Sequence, residues 1–567
     1  MNDQPILHRC LHDALQAECP DVPADLAETY RRAGYWQGET FGDALQALAR
    51  AHGDRPALTD DHGTCSFAGL AERVNGLARG LSMLGLTAGD IAVVQMPNRI
   101  SFVETILAMS ALGVVPVLAL PAHRKLEIGQ FCRFTRAKAY VAADVIDGFD
   151  YRDLGQELRW DMPHLAHVII DGQPRPGQMS LGSLRTDPGP LPHRAAPGDV
   201  AVFQISGGTT GVPKLIPRRH QEYLYNMRQC AAQSGLGPDS VFLCVLPIAH
   251  NFPLACPGIM GTLLSGGHAV LSQTVDAAEN RALIRRHGVT FTALVPPLAM
   301  SWLDAADEGP TGLQLLQVGG ARMAEQAALR VPEVLGCRLQ QVYGMAEGLI
   351  CFTPLDADHA RVSRGECYPM SPGDEIRIVD PAGRPVDPGT PGLLQVRGPY
   401  TMRGYFRADD KNAEAFTDDG FYVPGDLVVG GADGSVTVVG RLKDQINRGG
   451  EKLSGEELEN ALIAHDAVID AAVVGLPDPM LGERICAFVL TRAADLRPLA
   501  LKRFLRAAGV AAFKLPDEIR FPQAFPETGV GKVNKVMLRQ LLRDQALRQA
   551  DPGGDGDQPA SAAEIGA

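Results

Sequence analysis

"VAVFQISGGTTGVPK", Val200 to Lys214, decides how this chain is read. Six residues, nearly all apolar, predict a buried strand. The Gly/Ser/Thr-rich loop after it predicts a cradle for phosphates. Glycines let backbone N–H groups approach phosphate oxygens; Thr209 and Thr210 add hydroxyl donors, and Lys214 adds charge. Taken alone, the stretch is equally an ordinary turn. It is not a P-loop, which needs Gly-Lys-Ser/Thr at its end, because Pro213 separates Gly211-Val212 from Lys214. The dinucleotide fingerprint G-x-G-x-x-G is absent too. A second lysine loop, "PETGVGKVNK", fails the P-loop pattern as well, with Val533 after Gly531-Lys532 and Pro526 in place of the first Gly.

Outward from this loop, short apolar runs alternate with amphipathic stretches. "IAVVQM", "VVPVLAL", "KAYVAA" and "HVIID" precede it; "VFLCVLPI", "HAVLS", "FTALVP", "LQLLQVGG" and "LQQVYG" follow. This alternation predicts an α/β fold with mainly parallel sheets covered by helices. Two lobes are expected, about 35–172 and 198–370, joined by the Pro/Gly-rich "GQPRPGQMSLGSLRTDPGPLPHRAAPGD", read as a loop. "DEIRIVD" and "GLLQVRG" predict a β-rich subdomain over about 373–440, completing an N-terminal core of residues 1–440. Residues 441–548 read as a small α+β domain. Its first helix starts at Ser454, with Glu457 at capping-box spacing. The last segment, 549–567, lacks apolar content and reads as disordered.

The chain has 567 residues, 45% hydrophobic and 21% charged, as in soluble globular proteins. Its net charge of −13 argues against a general nucleic-acid binder. Gly113, Pro116 and Pro121 interrupt the longest uncharged stretch, Ile106 to Ala122, so a helix followed by a strand is expected, not a membrane span. The start has no secretory signal pattern, and a cytoplasmic protein is expected. The eleven cysteines are scattered without a CxxC pair. They read as free buried thiols, and no structural zinc site is expected.

Further segments join the two lysine loops: "QVYGMAEG" with Glu347, which looks exposed at a strand end; "YVPGDLV" with Asp426 in a Gly turn; and "GRLKDQINRGGEKL" at the domain boundary. In this order and spacing the chain, from near 35 to near 545, resembles the adenylate-forming superfamily of acyl-CoA synthetases, peptide-synthetase adenylation domains and luciferases. "AGYWQGETFGDAL", "LPAHR", "IPRRHQEYLYN", "AHNFPLACPG" and "GMAEGLICFT" are similar to its stand-alone aryl-acid branch, whose members activate 2,3-dihydroxybenzoate or salicylate for siderophore assembly. The resemblance implies ATP and Mg²⁺, and two half-reactions: acyl-adenylate formation with loss of pyrophosphate, then transfer to a phosphopantetheine thiol on an aryl carrier protein. No nucleic-acid or membrane partner is implied.

The resemblance also assigns residues. Lys532 matches the catalytic lysine between carboxylate and α-phosphate. Ser206, Gly207, Gly208, Thr209, Thr210, Gly211 and Lys214 match the β/γ-phosphate loop. Glu347 matches the carboxylate that holds the metal; Ala346 precedes it where the wider superfamily commonly has Thr. Asp426 matches the acceptor for the ribose hydroxyls, although "YVPGD" departs from the usual "YRTGD". Arg441 matches a second nucleotide contact, and Gly319, Gly320, Ala321 and Tyr343 would frame adenine and acid. Lys443 matches a hinge, and Gly450 lies on the face that meets the pantetheine arm. His250, Asn251 and Phe252 would line the acid pocket. Cys256 stands where 2,3-dihydroxybenzoate enzymes have Ser, and Ile350 where they have Val; both imply salicylate. Transfer to free CoA, 2,3-dihydroxybenzoate as substrate, and a noncatalytic ATP-binding scaffold stay open as alternatives.

Overall fold

A computed structural model describes residues 12–206, 214–305, 312–448, 451–478, 481–528 and 532–550. The chain forms two compact units: Met1–Val439 with Gly529–Lys532, and Gly440–Thr528 with Val533–Ala567. No helix among the described residues is long and apolar enough to cross a membrane.

In the first unit, Val200–Ile205 is a strand buried over most of its length. It pairs in parallel with Val115–Ala119, Phe203 opposite Val117, and antiparallel with Leu215–Arg219. These belong to a seven-stranded sheet that continues through Ile91–Gln95, Ala139–Ala143 and His167–Asp171 to Met179–Ser180. Ile91–Gln95, Val115–Ala119 and Ala139–Ala143 are buried at every position, as strands covered on both faces are. The uncharged stretch divides as expected: helix Ile100–Leu112 ends at Gly113 and strand Val115–Ala119 follows.

The second sheet has nine strands and is parallel from Pro56–Asp60 through His268–Leu271, Val241–Cys244, Phe291–Leu294 and Leu315–Gly319 to Arg338–Gly344. Its strands do not respect the chain limits read from the alternation. The hairpin Pro56–Asp60/Gly63–Ser66 leaves the first lobe's stretch to pair with His268–Leu271, Leu58 opposite Ala269. Val200–Ile205 crosses the other way, into the first sheet. The lobes therefore exchange strands, which no local periodicity records. The Pro/Gly-rich stretch is also more than a loop: Met179–Ser180 joins the sheet edge, and Arg185 forks onto buried Glu104 at 2.6 and 2.8 Å. Glu375–Val379, Pro391–Arg397, Asp426–Gly430 and Val436–Arg441 form the antiparallel β-rich part.

In the second unit, Val468–Asp478 and Gly482–Thr491 pair antiparallel, with Gln445–Arg448, Glu451–Ser454 and Glu518–Arg520 completing the sheet. Helices Gly455–Ile463 and Pro498–Ala507 pack Leu458, Leu462, Leu501 and Leu505 into its core. The capping box does not form. Ser454 takes the N-cap position without a side-chain cap bond, and Glu457 instead accepts from Lys514 Nζ at 2.6 and 2.8 Å. The ammonium adds a charge–charge attraction that a backbone N–H lacks. The terminal helix Lys535–Ala550 runs past the expected end at 548; residues 551–567 lie outside the described ones.

Candidate active site

Strand Val200–Ile205 delivers Ser206, and the turn after Arg338–Gly344 delivers Glu347. Ser206 Oγ donates to Glu347 Oε1 at 2.9 Å, and the Tyr405 hydroxyl donates to the same oxygen at 3.0 Å. Glu347 is therefore not the exposed strand-end acid its sequence position suggests; it is 8% exposed. The turn folds back through Met345 N to Leu349 O, and Met402 N covers the Glu347 carbonyl at 2.8 Å. Burial first, and then the Glu347 charge, hold the Tyr405 phenol far above the usual tyrosine range, so it stays a donor. The Lys214 ammonium lies 5.2 Å from the Tyr405 ring centroid, within cation–π reach. Ser206 N donates to Lys214 O at 3.0 Å and closes the base of the loop. Gly207, Gly208, Thr209, Thr210 and Gly211 lie outside the described residues.

Asp426 opens strand Asp426–Gly430 and is 2% exposed. The Tyr343 hydroxyl donates to its Oδ2 at 2.7 Å. Gly319 ends strand Leu315–Gly319, where a Cβ would stand 2.8 Å from Phe252 Cζ, so glycine lets the tip of that ring approach the backbone. Gly320 has φ +88°, and a Cβ there would meet Lys532 Cε at 2.8 Å. Ala321, next along, is exposed. Lys532 packs with the first unit. With Leu246, Pro247, His250, Phe252, Val295 and Gly320 it lines a small cavity. Two site assignments that are over 200 residues apart in sequence, Gly320 and Lys532, thus touch.

Of the residues assigned to the acid pocket, Asn251 and Phe252 ride on the short helix Asn251–Ala255, with Cys256 at its end. His250 caps it, its Nδ1 accepting from Phe252 N at 3.3 Å. Burial, and then the Lys532 ammonium, push the His250 imidazole down to about 3. His250 also lines the small cavity. Asn251 is gripped at both ends: Tyr223 donates to Oδ1 at 2.5 Å, and Nδ2 donates to Cys256 Sγ at 3.4 Å. Tyr223 is itself held by Gln204 Nε2 at 3.3 Å and by the Arg218 guanidinium, 4.1 Å over its ring. Arg218 has no exposed surface and forks onto Glu222 at 3.1 and 2.8 Å. Ile350 is fully buried, and its N–H donates to the Tyr400 hydroxyl at 3.1 Å. That hydroxyl donates in turn to Asp374 Oδ2 at 2.7 Å.

In the second unit, Arg441 ends strand Val436–Arg441 and is exposed. Lys443 is exposed in the single turn Leu442–Asp444, four residues after the contact boundary at Val439. Gly450 lies outside the described residues.

Two residues beside the assigned ones carry no role in the sequence reading: Tyr223, inside the quoted "IPRRHQEYLYN", and Tyr405. Each donates its hydroxyl to an assigned residue 28 or 58 positions away in sequence, a pairing that no local pattern announces.

A family profile described as AMP-binding enzyme matches residues 45–406, and the AMP-binding enzyme C-terminal domain matches residues 457–532. Pyochelin synthase PchD of Pseudomonas aeruginosa is 52% identical over 94% of this chain and 98% of its own length. The 2,3-dihydroxybenzoate-AMP ligase of Bacillus subtilis is 47% identical, over 93% and 98%. The salicyl-AMP ligase / salicyl-S-ArCP synthetase of Mycobacterium tuberculosis is 44% identical, over 92% and 94%. Among solved structures, apo MbtA of Mycobacterium smegmatis superposes with a TM-score of 0.73 at 41% identity, covering 93% of this chain and 99% of that one. The chain belongs to the AMP-binding enzyme family and is an ATP-dependent, AMP-forming ligase.

Proposed function

We propose that this chain condenses salicylate with ATP to salicyl-AMP and pyrophosphate, then passes the salicyl group to the phosphopantetheine thiol of an aryl carrier protein in siderophore biosynthesis. The named relatives support aryl-acid activation, but ligases named for salicylate and for 2,3-dihydroxybenzoate stand at 44% and 47% identity, so overall likeness does not choose the acid. The pocket carries the choice. Asn251, held by Tyr223, offers a fixed amide, and beside it Cys256 presents a thiol, not a hydroxyl. A thiol is a small hydrophobe and weak donor. A 3-hydroxyl buried against it loses hydrogen bonding of about 1–3 kcal/mol.

In the first half-reaction a carboxylate oxygen forms a bond to the α-phosphorus and the bond to pyrophosphate breaks. Two anions meet, so a fixed cation is the group whose effect should be largest. Lys532 fills that role, its ammonium beside a His250 that stays neutral and adds no competing charge. Ser206 and Lys214 bound the loop that would hold the β- and γ-phosphates, and Asp426 would accept the ribose hydroxyls, with Arg441 as a second nucleotide contact. Glu347, a buried carboxylate among hydroxyls, is an oxygen donor set of the kind Mg²⁺ takes. When bound, the ion would neutralise phosphate charge. In the second half-reaction the thiol sulfur bonds to the acyl carbon, its proton leaves and AMP departs. Lys443 would be the hinge between the two.

ATP–pyrophosphate exchange over salicylate, 2,3-dihydroxybenzoate, 3-hydroxypicolinate and benzoate tests the reading, with carrier protein and free CoA compared as acceptors. Salicylate should lead 2,3-dihydroxybenzoate by up to about a hundredfold in specificity, the reach of an apolar pocket against an added hydroxyl. Equal use of the two acids overturns the salicylate assignment.

A further inference from the structure

Away from the acid pocket and the nucleotide residues, His12, His193 and Asp199 converge from separate places in the chain. His12 lies on the first described helical turns, His193 in the Pro/Gly-rich stretch, and Asp199 just ahead of strand Val200–Ile205. One donor atom from each lies within 4.8 Å of the other two. His12 Nε2 forms an ion pair with Asp199 Oδ2 at 3.1 Å, off the line of a full hydrogen bond. His193 Nε2 is buried without a partner among the described residues, and the two rings sit 5.4 Å apart, tilted by 51°. Buried polar atoms are normally satisfied, and leaving them unpaired is costly. His193 Nε2, without a partner, and His12 Nε2, in a misaligned ion pair with Asp199, share the same need: an electrophile between them and the carboxylate.

A divalent cation meets that need better than a proton, which can bridge only two of the three atoms. Imidazole nitrogens and a carboxylate are Zn²⁺ ligands at roughly 2.0–2.2 Å, which puts neighbouring tetrahedral ligands roughly 3.4 Å apart. The His12–Asp199 separation is already close to that spacing. The ligand sets around His12 and Asp199 are also braced from behind. His12 Nδ1 faces Asp13 Oδ1 at 3.3 Å, the outer carboxylate that commonly orients a metal-bound imidazole. Ala196 N fixes Asp199 Oδ2 at 2.7 Å. Two imidazoles disfavour Mg²⁺, which takes oxygen ligands. The expectation of no structural zinc site rests on cysteine spacing, which bears on thiolate ligands alone, and His12 is remote in sequence from its partners.

We propose that His12, His193 and Asp199 form a Zn²⁺ site, with water in the fourth position, that ties the N-terminal helix to the segment leading into Ser206. The test uses the full chain without an affinity tag, stripped with a chelator and titrated with Co²⁺ and then Zn²⁺ in excess Mg²⁺. One equivalent of Co²⁺ should bind with the intense visible absorption of tetrahedral coordination, and Zn²⁺ should displace it. His12→Gln and His193→Gln should each remove that band and weaken binding on the order of a hundredfold, while salicylate-dependent exchange stays at the wild-type rate. Zinc-edge X-ray absorption on wild type reads the ligands without any variant, and should give two imidazoles with oxygen neighbours. Absence of the Co²⁺ band in wild type, uptake unchanged in both variants, or sulfur in the zinc shell would each overturn the site.

Discussion

The proposed nucleotide side and the proposed acid pocket use one device on two kinds of acceptor. On the nucleotide side, hydroxyls of Ser206 and Tyr405 hold the Glu347 carboxylate, and Tyr343 holds Asp426. In the proposed acid pocket, Tyr223 holds the neutral amide of Asn251, whose other end donates to the Cys256 thiol. A phenol fixes an acceptor's position equally well in both. What differs is the charge that remains to act on a substrate. Charged groups aimed at phosphate change with the transition state and so govern rate. A neutral amide and a thiol meet the acid alike before and during reaction, so they govern which acid binds.

The difference should be widest for Lys532→Ala. Losing the ammonium should slow exchange by about 10²–10³-fold or more while the KM for salicylate moves little. A loss confined to KM would put Lys532 on the binding side and break the comparison. Tyr223→Phe should do the reverse. It leaves Asn251 Oδ1 without its 2.5 Å donor, a cost of about 1–3 kcal/mol. The acid's KM should rise by about ten- to a hundredfold with kcat nearly kept, whereas a merely structural role would lower thermal stability without that split. Smaller again is Cys256→Ser. It restores a hydroxyl to the pocket and should narrow the preference for salicylate over 2,3-dihydroxybenzoate by about tenfold, read as the ratio of the two kcat/KM values.

How much of this the sequence carried follows the same division between local and distant causes. The strand before Ser206, the helix break at Gly113 and the β-rich stretch from about 373 are local, set by apolar spacing and by Gly and Pro, and the structure has them. Glu347 looked exposed because a strand end is usually open, but its cover comes from Met402 and Tyr405, more than fifty positions on. Glu457 sat at capping distance from Ser454, yet Lys514 claimed it. The hairpin at Pro56–Ser66 joined the other lobe's sheet, because strand pairing is decided by the whole packing. Periodicity sees a residue's neighbours in the chain; each of these outcomes was settled by neighbours in space.

Behind the acid pocket, the comparison can be sharpened through pH. Asp374 holds Tyr400, which receives the N–H of Ile350. Its Oδ1 is buried without a hydrogen-bond partner among the described residues. Burial raises this carboxyl to about 7, against a partial offset from the Tyr400 and Ser371 donors. The folded state therefore keeps a proton that the unfolded chain releases near pH 4. Stability from this group is unaffected below that pH, declines as pH rises toward 7, and is level above it. Asp374→Asn cannot ionise and should remove the decline. Its melting temperature should gain on wild type between pH 5 and pH 8, by several degrees at most. A gap that stays constant over that range would show that Asp374 ionises as freely folded as unfolded. The wall carrying Ile350 would then be held by a charged carboxylate, and the acid pocket would be less neutral at its back than at its floor.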